Sequence, residues 1–475
     1  MTKDLRKKQI VKNISFSLFA QIISLAVSLI MGLVVPKFID EYQYAYWHTY
    51  LLYVSYVGVL HFGLLDGVVL RYSQYDYEDL DKRRLRSQFA VLLIISGIAS
   101  FILVLFGSNS GDLTKTITYL VVCGIFTKNI FTYNTYLFQI TNRINKYAFV
   151  VISQRLLYGV FALLLIFFNQ HNFIWYCIAD LAGDCVGILL SLFSNKDLHF
   201  GKLLPFKETV QETWLNVSSG IMLMFANWSS MLLVSCAKMI IEWKWGPLVF
   251  GKSSFAFSVS NLILAFMTAI SVVLFPSLKR MKTEVLPSFY KKLRDIIIPV
   301  LFWGLLLYYP ECWVLEKWLP KYSDSLVYLG LLSPMVVYTS IVSLLTNNYL
   351  KAYRQERLLL IINVLTFILA SFLYGICAYW LKSFTAMLLA VVFIIMLRTI
   401  ISEFSVMKLI HIEFKTEFIF EFIMTCAFLV STQCFNRVTG FFFYLVFLVL
   451  YSLIRYNNIA LLGRQIQFLV MRNNK

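Results

Sequence analysis

Long apolar stretches alternate with short polar ones along nearly the whole chain. A bilayer core about 30 Å thick takes roughly 20 apolar residues per helix. Runs of that kind recur near 13–35, 45–70, 88–107, 116–140, 147–168, 173–193, 213–235, 250–275, 296–316, 325–350, 358–380, 383–406, 416–435 and 440–456. The pattern predicts an all-α membrane protein with about fourteen transmembrane helices. The first run is too long for a cleaved signal peptide, lacks a small-residue cleavage site and runs into Pro36 and Lys37, so it reads as a span.

Composition agrees: 59% of the 475 residues are hydrophobic and 14% charged, whereas soluble domains carry about 25% charged residues. The net charge of +17 would suggest nucleic acid in a soluble protein, but its placement argues otherwise. With the N-terminus inside, and with Lys252 and Arg455 at span edges counted with the adjoining loop and tail, the cytoplasmic segments hold 30 Lys and Arg, the outside loops 9, and three lie within spans, out of 42 in all. That asymmetry is a positive-inside signal. It places both termini in the cytoplasm.

The longest polar stretches are Arg71–Ser87, Ser194–Glu212 and Pro276–Asp295, and no soluble domain is present. Lys12-Asn-Ile-Ser15 opens the first span, and Leu215-Asn-Val-Ser218 opens the seventh, 203 residues later. Tyr136-Leu-Phe-Gln-Ile-Thr-Asn-Arg143 closes the fourth, and Tyr349-Leu-Lys-Ala-Tyr-Arg354 closes the tenth, 213 residues later. An offset near 200 suggests two six-helix bundles as parallel repeats, an arrangement transporters use with the substrate path between halves. The expected organisation is an N-terminal bundle over 1–195, a cytoplasmic linker over 196–212, a C-terminal bundle over 213–406, and two additional helices with a cytoplasmic tail over 407–475.

Ionisable groups inside spans are costly and are functional candidates by default. Lys128 lies near the middle of the fourth span, with Thr132, Thr135 and Gln139 following on one helical face. The stripe lines a hydrated lumen or forms an interhelical patch. Arg155 and Arg398 lie in the fifth and twelfth spans; each either faces a central path or snorkels to the interface. Asp180 and Asp184, four apart in the sixth span, either neutralise Lys128 or Arg155 in a structural ion pair or bind a coupling cation or proton. Asp66 sits near the inner end of the second span, and Asn227 belongs to a polar stripe with Asn216 and Gly220 in the seventh. Only Asp66, Asp180 and Asp184 count as acidic cavity candidates. Trp47, Tyr50, Trp228 and Trp303 are candidates for stacking on sugar rings.

The eight cysteines form no CxxC pair, and no phosphate-binding Gly-rich loop occurs. Neither a metal, a cofactor nor an enzymatic activity is expected. The outside loops are short, which argues against a polysaccharide polymerase.

Tyr42-Gln-Tyr-Ala-Tyr-Trp47, followed by Phe62-Gly-Leu-Leu-Asp-Gly67 and Arg71-Tyr72, resembles the second-helix pattern of Wzx-type polysaccharide repeat-unit flippases. Phe138-Gln-Ile-Thr-Asn-Arg-Ile-Asn-Lys-Tyr-Ala148 and Asn348-Tyr-Leu-Lys-Ala-Tyr-Arg-Gln-Glu-Arg357 resemble that family's hinges after helices four and ten. Ala45 stands where the family usually has Gly. The resemblance implies a V-shaped transporter of the kind shared by MATE exporters and MurJ. It would sit in a bacterial cytoplasmic membrane and flip undecaprenyl-diphosphate-linked oligosaccharides for O-antigen, capsule or exopolysaccharide. Lys128, Arg155 and Arg398 would then attract the diphosphate or acidic sugars. Its implied partners are the polyprenyl diphosphate substrate, membrane lipids and polymerase or chain-length machinery, with no nucleic acid. A peptidoglycan-precursor flippase and a cation-coupled drug antiporter stay open as alternatives.

Overall fold

The structure is a computed structural model that describes residues 15–16, 19–75, 77–107, 111–281, 284–412 and 417–454. The chain ends that the charge pattern assigns to the cytoplasm lie outside the described residues. Everything described is helix and short turn, as a bilayer demands: a helix satisfies its backbone polar groups internally where no water is present.

In chain order the first unit holds α1 (Phe19–Phe38), α2 (Glu41–Ser55), α3 (Leu64–Tyr72), α4 (Lys82–Gly107), α5 (Asp112–Ile140), α6 (Ile144–Phe167), α7 (Phe173–Ser194) and the short α8 (Lys196–His199). Asp40 caps α2 by accepting from Tyr42 N at 3.0 Å, and Asn172 caps α7 through Ile174 N at 2.9 Å. α2 and α3 are bent by 52° across a break at Gly63, which has a left-handed φ of 78°. α9 (Phe206–Arg280) runs for 75 residues and is interrupted at Gly246, whose φ of 81° and ψ of 175° leave the helical region. Contacts divide the chain into two compact units, Met1–Gly251 and Lys252–Lys475.

The second unit continues with α10 (Leu286–Gly304), α11 (Tyr308–Trp318), α12 (Ser325–Ile341), α13 (Asn347–Ala352), α14 (Glu356–Gly375), α15 (Phe384–Ile410), α16 (Glu417–Gln433) and α17 (Arg437–Ile454). The stretch of α12 to α13 is the central element of this unit: 89% of its apolar window is buried, against 17% for α4 in the first unit. Exposed Phe101, Ile94 and Phe106 on α4 show what the remaining apolar surface is for, since such a face is stable against lipid rather than water.

Among the described residues, ten helices are long and apolar enough to cross a membrane, or eleven when the bent α2–α3 pair counts as one span. The expected fourteen is not reached by that measure. α5 carries Lys128, Asn129, Thr132, Asn134 and Thr135 through its middle, which lowers its apolar character. α16 has only 17 residues, and α9 passes as one element although Gly246 breaks it.

The turns after α5 and α13 share a geometry. Asn142 and Arg354 adopt left-handed φ of 53° and 56°. Arg143 N donates to Phe138 O at 2.9 Å, and Gln355 N donates to Leu350 O at 2.8 Å, each atom 212 positions after its counterpart. These are the two hinges singled out in the sequence.

Candidate functional site

The densest intramembrane charge cluster in the first unit is built from α2, α5, α6 and α7. Lys128 projects from the middle of α5. Asp180 and Asp184 are one turn apart on α7 and therefore share a face. Lys128 Nζ lies 2.9 Å from Asp180 Oδ2, 3.0 Å from Asp180 Oδ1 and 2.7 Å from Asp184 Oδ2. Neutral donors take up further oxygen lone pairs. Tyr50 OH donates to Asp180 Oδ2 at 3.1 Å, Gln154 Nε2 to Asp184 Oδ1 at 3.0 Å, and Thr127 Oγ1 to Asp184 Oδ2 at 3.3 Å.

Both carboxylates are buried, while Lys128 keeps partial access. Two carboxylates facing one ammonium carry a formal charge of −1. The shared ammonium thus compensates one of the two buried carboxylates and leaves the cluster with one further negative charge.

The other sequence candidates fall in different surroundings. Thr132 is half-buried, and its carbonyl accepts from buried Thr135 at 2.9 Å, whereas Gln139 is exposed. The stripe along α5 is thus not one uniform surface. Arg155 follows Gln154 on α6, is half-buried, and makes no ion pair among the described residues. Its electrostatic neighbours are Tyr147 and Tyr158. Asp66 is buried on α3, apart from the Lys128 cluster and without an ion pair among the described residues. Asn227 is exposed on α9; Asn216 of the same stripe is buried and accepts from Arg71 Nη1 at 2.5 Å. Arg398 is buried on α15 in the second unit. Two proposed sugar-stacking aromatics are corrected: Trp47 and Tyr50 are fully buried, and Tyr50 serves Asp180 instead.

Sequence reading missed two clusters. Glu403 and Glu421 lie inside stretches recognised as spans, so the acidic candidates were not confined to Asp66, Asp180 and Asp184. They meet Arg294 of α10, which is fully buried. Its Nε is 2.9 Å from Glu403 Oε1, and its Nη2 is 3.1 Å from Glu403 Oε2 and 2.5 Å from Glu421 Oε1. Nη1 pairs with Glu417, and Tyr290 OH donates to Glu403 Oε1 at 3.1 Å. The second cluster sits on α9, where a loop was expected. Glu242 accepts from Tyr53 OH at 2.8 Å, and Trp243 Nε1 donates to the same hydroxyl at 3.1 Å. Glu242 and Tyr53 border a cavity of about 370 Å³ that is also lined from α4 and α5.

No group of three or more His, Cys, Asp or Glu among the described residues is placed to hold a metal ion. All eight cysteines are free thiols.

No protein-family model and no curated protein matches this sequence. Solved structures match its fold. An inward-facing multidrug resistance MATE family transporter of the MOP superfamily aligns with a TM-score of 0.60 at 14% identity, over 82% of this chain and 98% of its own. The lipid II flippase MurJ, in an inward closed conformation, aligns with a TM-score of 0.61 at 15% identity, over 95% of this chain and 100% of its own. A MOP superfamily transporter from Pyrococcus furiosus, described by a binding pocket of reversed polarity, aligns with a TM-score of 0.56 at 13% identity, over 84% and 96%. The chain thus has the all-α, multi-pass membrane fold of MATE and MurJ transporters.

Proposed function

We propose that the chain is a flippase for a polyprenyl-diphosphate-linked glycan, working by alternating access in a bacterial cytoplasmic membrane. The observation that carries this reading is the coverage of the structural likeness. MurJ aligns over 95% of the chain, whereas the MATE and Pyrococcus structures quoted above align over 82% and 84%. In this reading the chain crosses the membrane fourteen times, with two six-helix bundles and a C-terminal pair, α16 and α17, and both termini face the cytoplasm.

The specific cargo follows from the hinge and second-helix resemblance: an undecaprenyl-diphosphate oligosaccharide repeat unit for O-antigen, capsule or exopolysaccharide, delivered to a polymerase. A second reading, a peptidoglycan lipid-precursor flippase, is favoured by the MurJ likeness itself. A cation-coupled drug antiporter has the support of the MATE structures.

Within the proposed mechanism, Arg155 supplies the available positive charge for a diphosphate, because Lys128 is already committed to two carboxylates. Arg pairs with phosphate oxygens through a planar fork of donors. Arg398, Thr132, Gln139 and Asn227 are further substrate contacts. Lys128, Asp180 and Asp184 form the ion-coupling element, with Asp66 as a separate titratable group. Arg155→Ala should lower surface polysaccharide and accumulate lipid-linked repeat units inside, with the protein still in the membrane. Normal export in that variant removes Arg155 from the mechanism. Rescue of cells depleted of their lipid II flippase would assign the cargo to peptidoglycan instead.

A further inference from the structure

The second unit contains a cavity of about 290 Å³ between the C-terminal part of α9, α10, α11 and α12. This is near the lower end of small-molecule sites, about 300 Å³. Leu301, Leu305, Leu329 and Val337 make its buried wall. Three hydroxyls also line it, and each is already used. Tyr308 OH donates to Leu326 O at 3.1 Å, Ser333 Oγ to Leu329 O at 2.7 Å, and Ser260 Oγ to Ala256 O at 3.0 Å.

The remaining polar group is Glu311, the one charged residue in the lining, which makes no hydrogen bond or ion pair among the described residues. A half-buried carboxylate beside an apolar wall is poorly solvated and gains from a cation brought to it. Leu307 lies one turn before Glu311 on the same face. With Val300 and Phe266 it forms an apolar rim, 64%, 60% and 56% exposed. These rim residues belong to helices long and apolar enough to cross a membrane. An occupant therefore enters from the bilayer, apolar part first.

The cavity also has a counterpart in the first unit. Ile117, Val121 and Ile125 line the cavity beside Glu242; Leu329, Ser333 and Val337, each 212 positions later, line this one. Thr49 and Tyr56 are matched by Ser260 and Met267, each 211 positions later. The spacing is that of the two hinges to within one residue. In each unit the single charged lining residue is a glutamate. Glu242 has its hydrogen bond from Tyr53; Glu311 has no equivalent, so the second unit is the one with an unmet charge.

We propose that the cavity between α9, α10, α11 and α12 is a binding site for a membrane aminolipid, whose ammonium group meets Glu311 while part of an acyl chain fills the apolar wall. The site is independent of the cargo assigned above. It makes the second unit sensitive to the aminolipid content of its bilayer.

The test is native mass spectrometry of the purified full chain titrated with phosphatidylethanolamine and phosphatidylglycerol of identical acyl chains. A charge-assisted hydrogen bond corresponds to about tenfold in affinity or more. The wild type should thus retain phosphatidylethanolamine over phosphatidylglycerol by about tenfold. Glu311→Gln, nearly the same shape, should bring the ratio close to one. Ser333→Trp, which fills the cavity and leaves the carboxylate, should also abolish the preference. Equal retention in the wild type, or a preference that survives either substitution, overturns the proposal. Should Ser333→Trp fail to fold, Glu311→Gln alone decides.

Discussion

Gly67 and Gly220 bring α3 and the first part of α9 together backbone to backbone. A Cβ on Gly220 would overlap Gly63 O and Gly67 N, and one on Gly67 would overlap the Asn216 carbonyl. Neither obstacle is a movable side-chain tip. Close helix approach of this kind is what small residues supply in membranes, where packing rather than the hydrophobic effect drives association. Beside the contact, Arg71 reaches Glu212 Oε1 and Asn216 Oδ1, both at 2.5 Å, and Tyr72 OH donates to Glu212 at 2.8 Å.

Gly220→Ala or Gly67→Ala should therefore force the helices apart and strip those polar contacts. Overpacking costs about 1–3 kcal/mol, and the lost hydrogen bonds add to it. Thermal unfolding in detergent should show a lower midpoint for each variant. Gly97→Ala is the control, because nothing lies within 4 Å of its added Cβ. Equal midpoints for Gly220→Ala and Gly97→Ala would refute the close-contact account.

Removing Lys128 leaves Asp180 and Asp184 facing each other without their shared cation. Breaking a buried ion pair by deleting one partner costs about 3–5 kcal/mol, so Lys128→Met should be strongly destabilised in the same assay. Adding Asp184→Asn to that variant should recover part of the loss, since it also removes the like-charge repulsion. Additive losses in the double variant would show that the three side chains are not coupled.

Much of this arrangement was legible in the sequence. Asp180 and Asp184 are four apart in an apolar run, which places them on one helical face, and Lys128 and Arg155 were the cations the sequence offered them, of which the structure pairs Lys128. The two hinges were legible because Thr-Asn-Arg and Ala-Tyr-Arg end apolar runs at matching positions. Other features carried no local signal. Lys238, Glu242 and Lys244 made a polar stretch that reads as a loop, yet α9 continues through them and breaks only at Gly246. Tyr50 reads as a sugar-stacking candidate in a chain with 28 tyrosines, and only tertiary packing directs its hydroxyl to Asp180. Arg294 reads as one of six basic residues in a polar segment. Its burial depends on glutamates more than a hundred residues away, a pairing that no spacing rule reaches.

Acid should weaken the first unit through Asp197, which lies outside the spans. Burial pushes its carboxyl up, but hydrogen bonds from Lys82 and from Tyr77 OH, the latter at 2.5 Å, prevail and hold it below the usual carboxylate range. Tyr77 is itself pushed up to about 12, chiefly by burial and then by its bond to Asp197. A group whose pKa is depressed on folding contributes stability above its unfolded value. That contribution is lost as pH falls through the lower folded value. The side chain is 40% exposed, so solvent screens the effect and it is small at neutral pH. Asp197→Asn should flatten the acid limb of stability below about pH 4, the ordinary Asp range, and leave the neutral limb nearly parallel to wild type. An unchanged acid limb in Asp197→Asn would assign that limb to other carboxylates.

Arg294 pairs with three glutamates from two other helices of the second unit. Its guanidinium is fully buried and joins α10 to Glu403 on α15 and to Glu417 and Glu421 on α16. Glu403 receives two parallel bonds, the bidentate geometry that a lysine ammonium does not reproduce. Arg294→Met leaves buried carboxylates without their common donor, a loss of about 3–5 kcal/mol. Arg294→Lys keeps the charge but loses the fork, so it should fall between Met and wild type. Glu403→Gln keeps an acceptor for Arg294 and should be the mildest of the three. The ranking can be read from unfolding midpoints in detergent and from the amount of protein recovered in the membrane fraction. If Arg294→Lys matched wild type, charge alone would hold α10, α15 and α16 together and the paired geometry at Glu403 would contribute nothing.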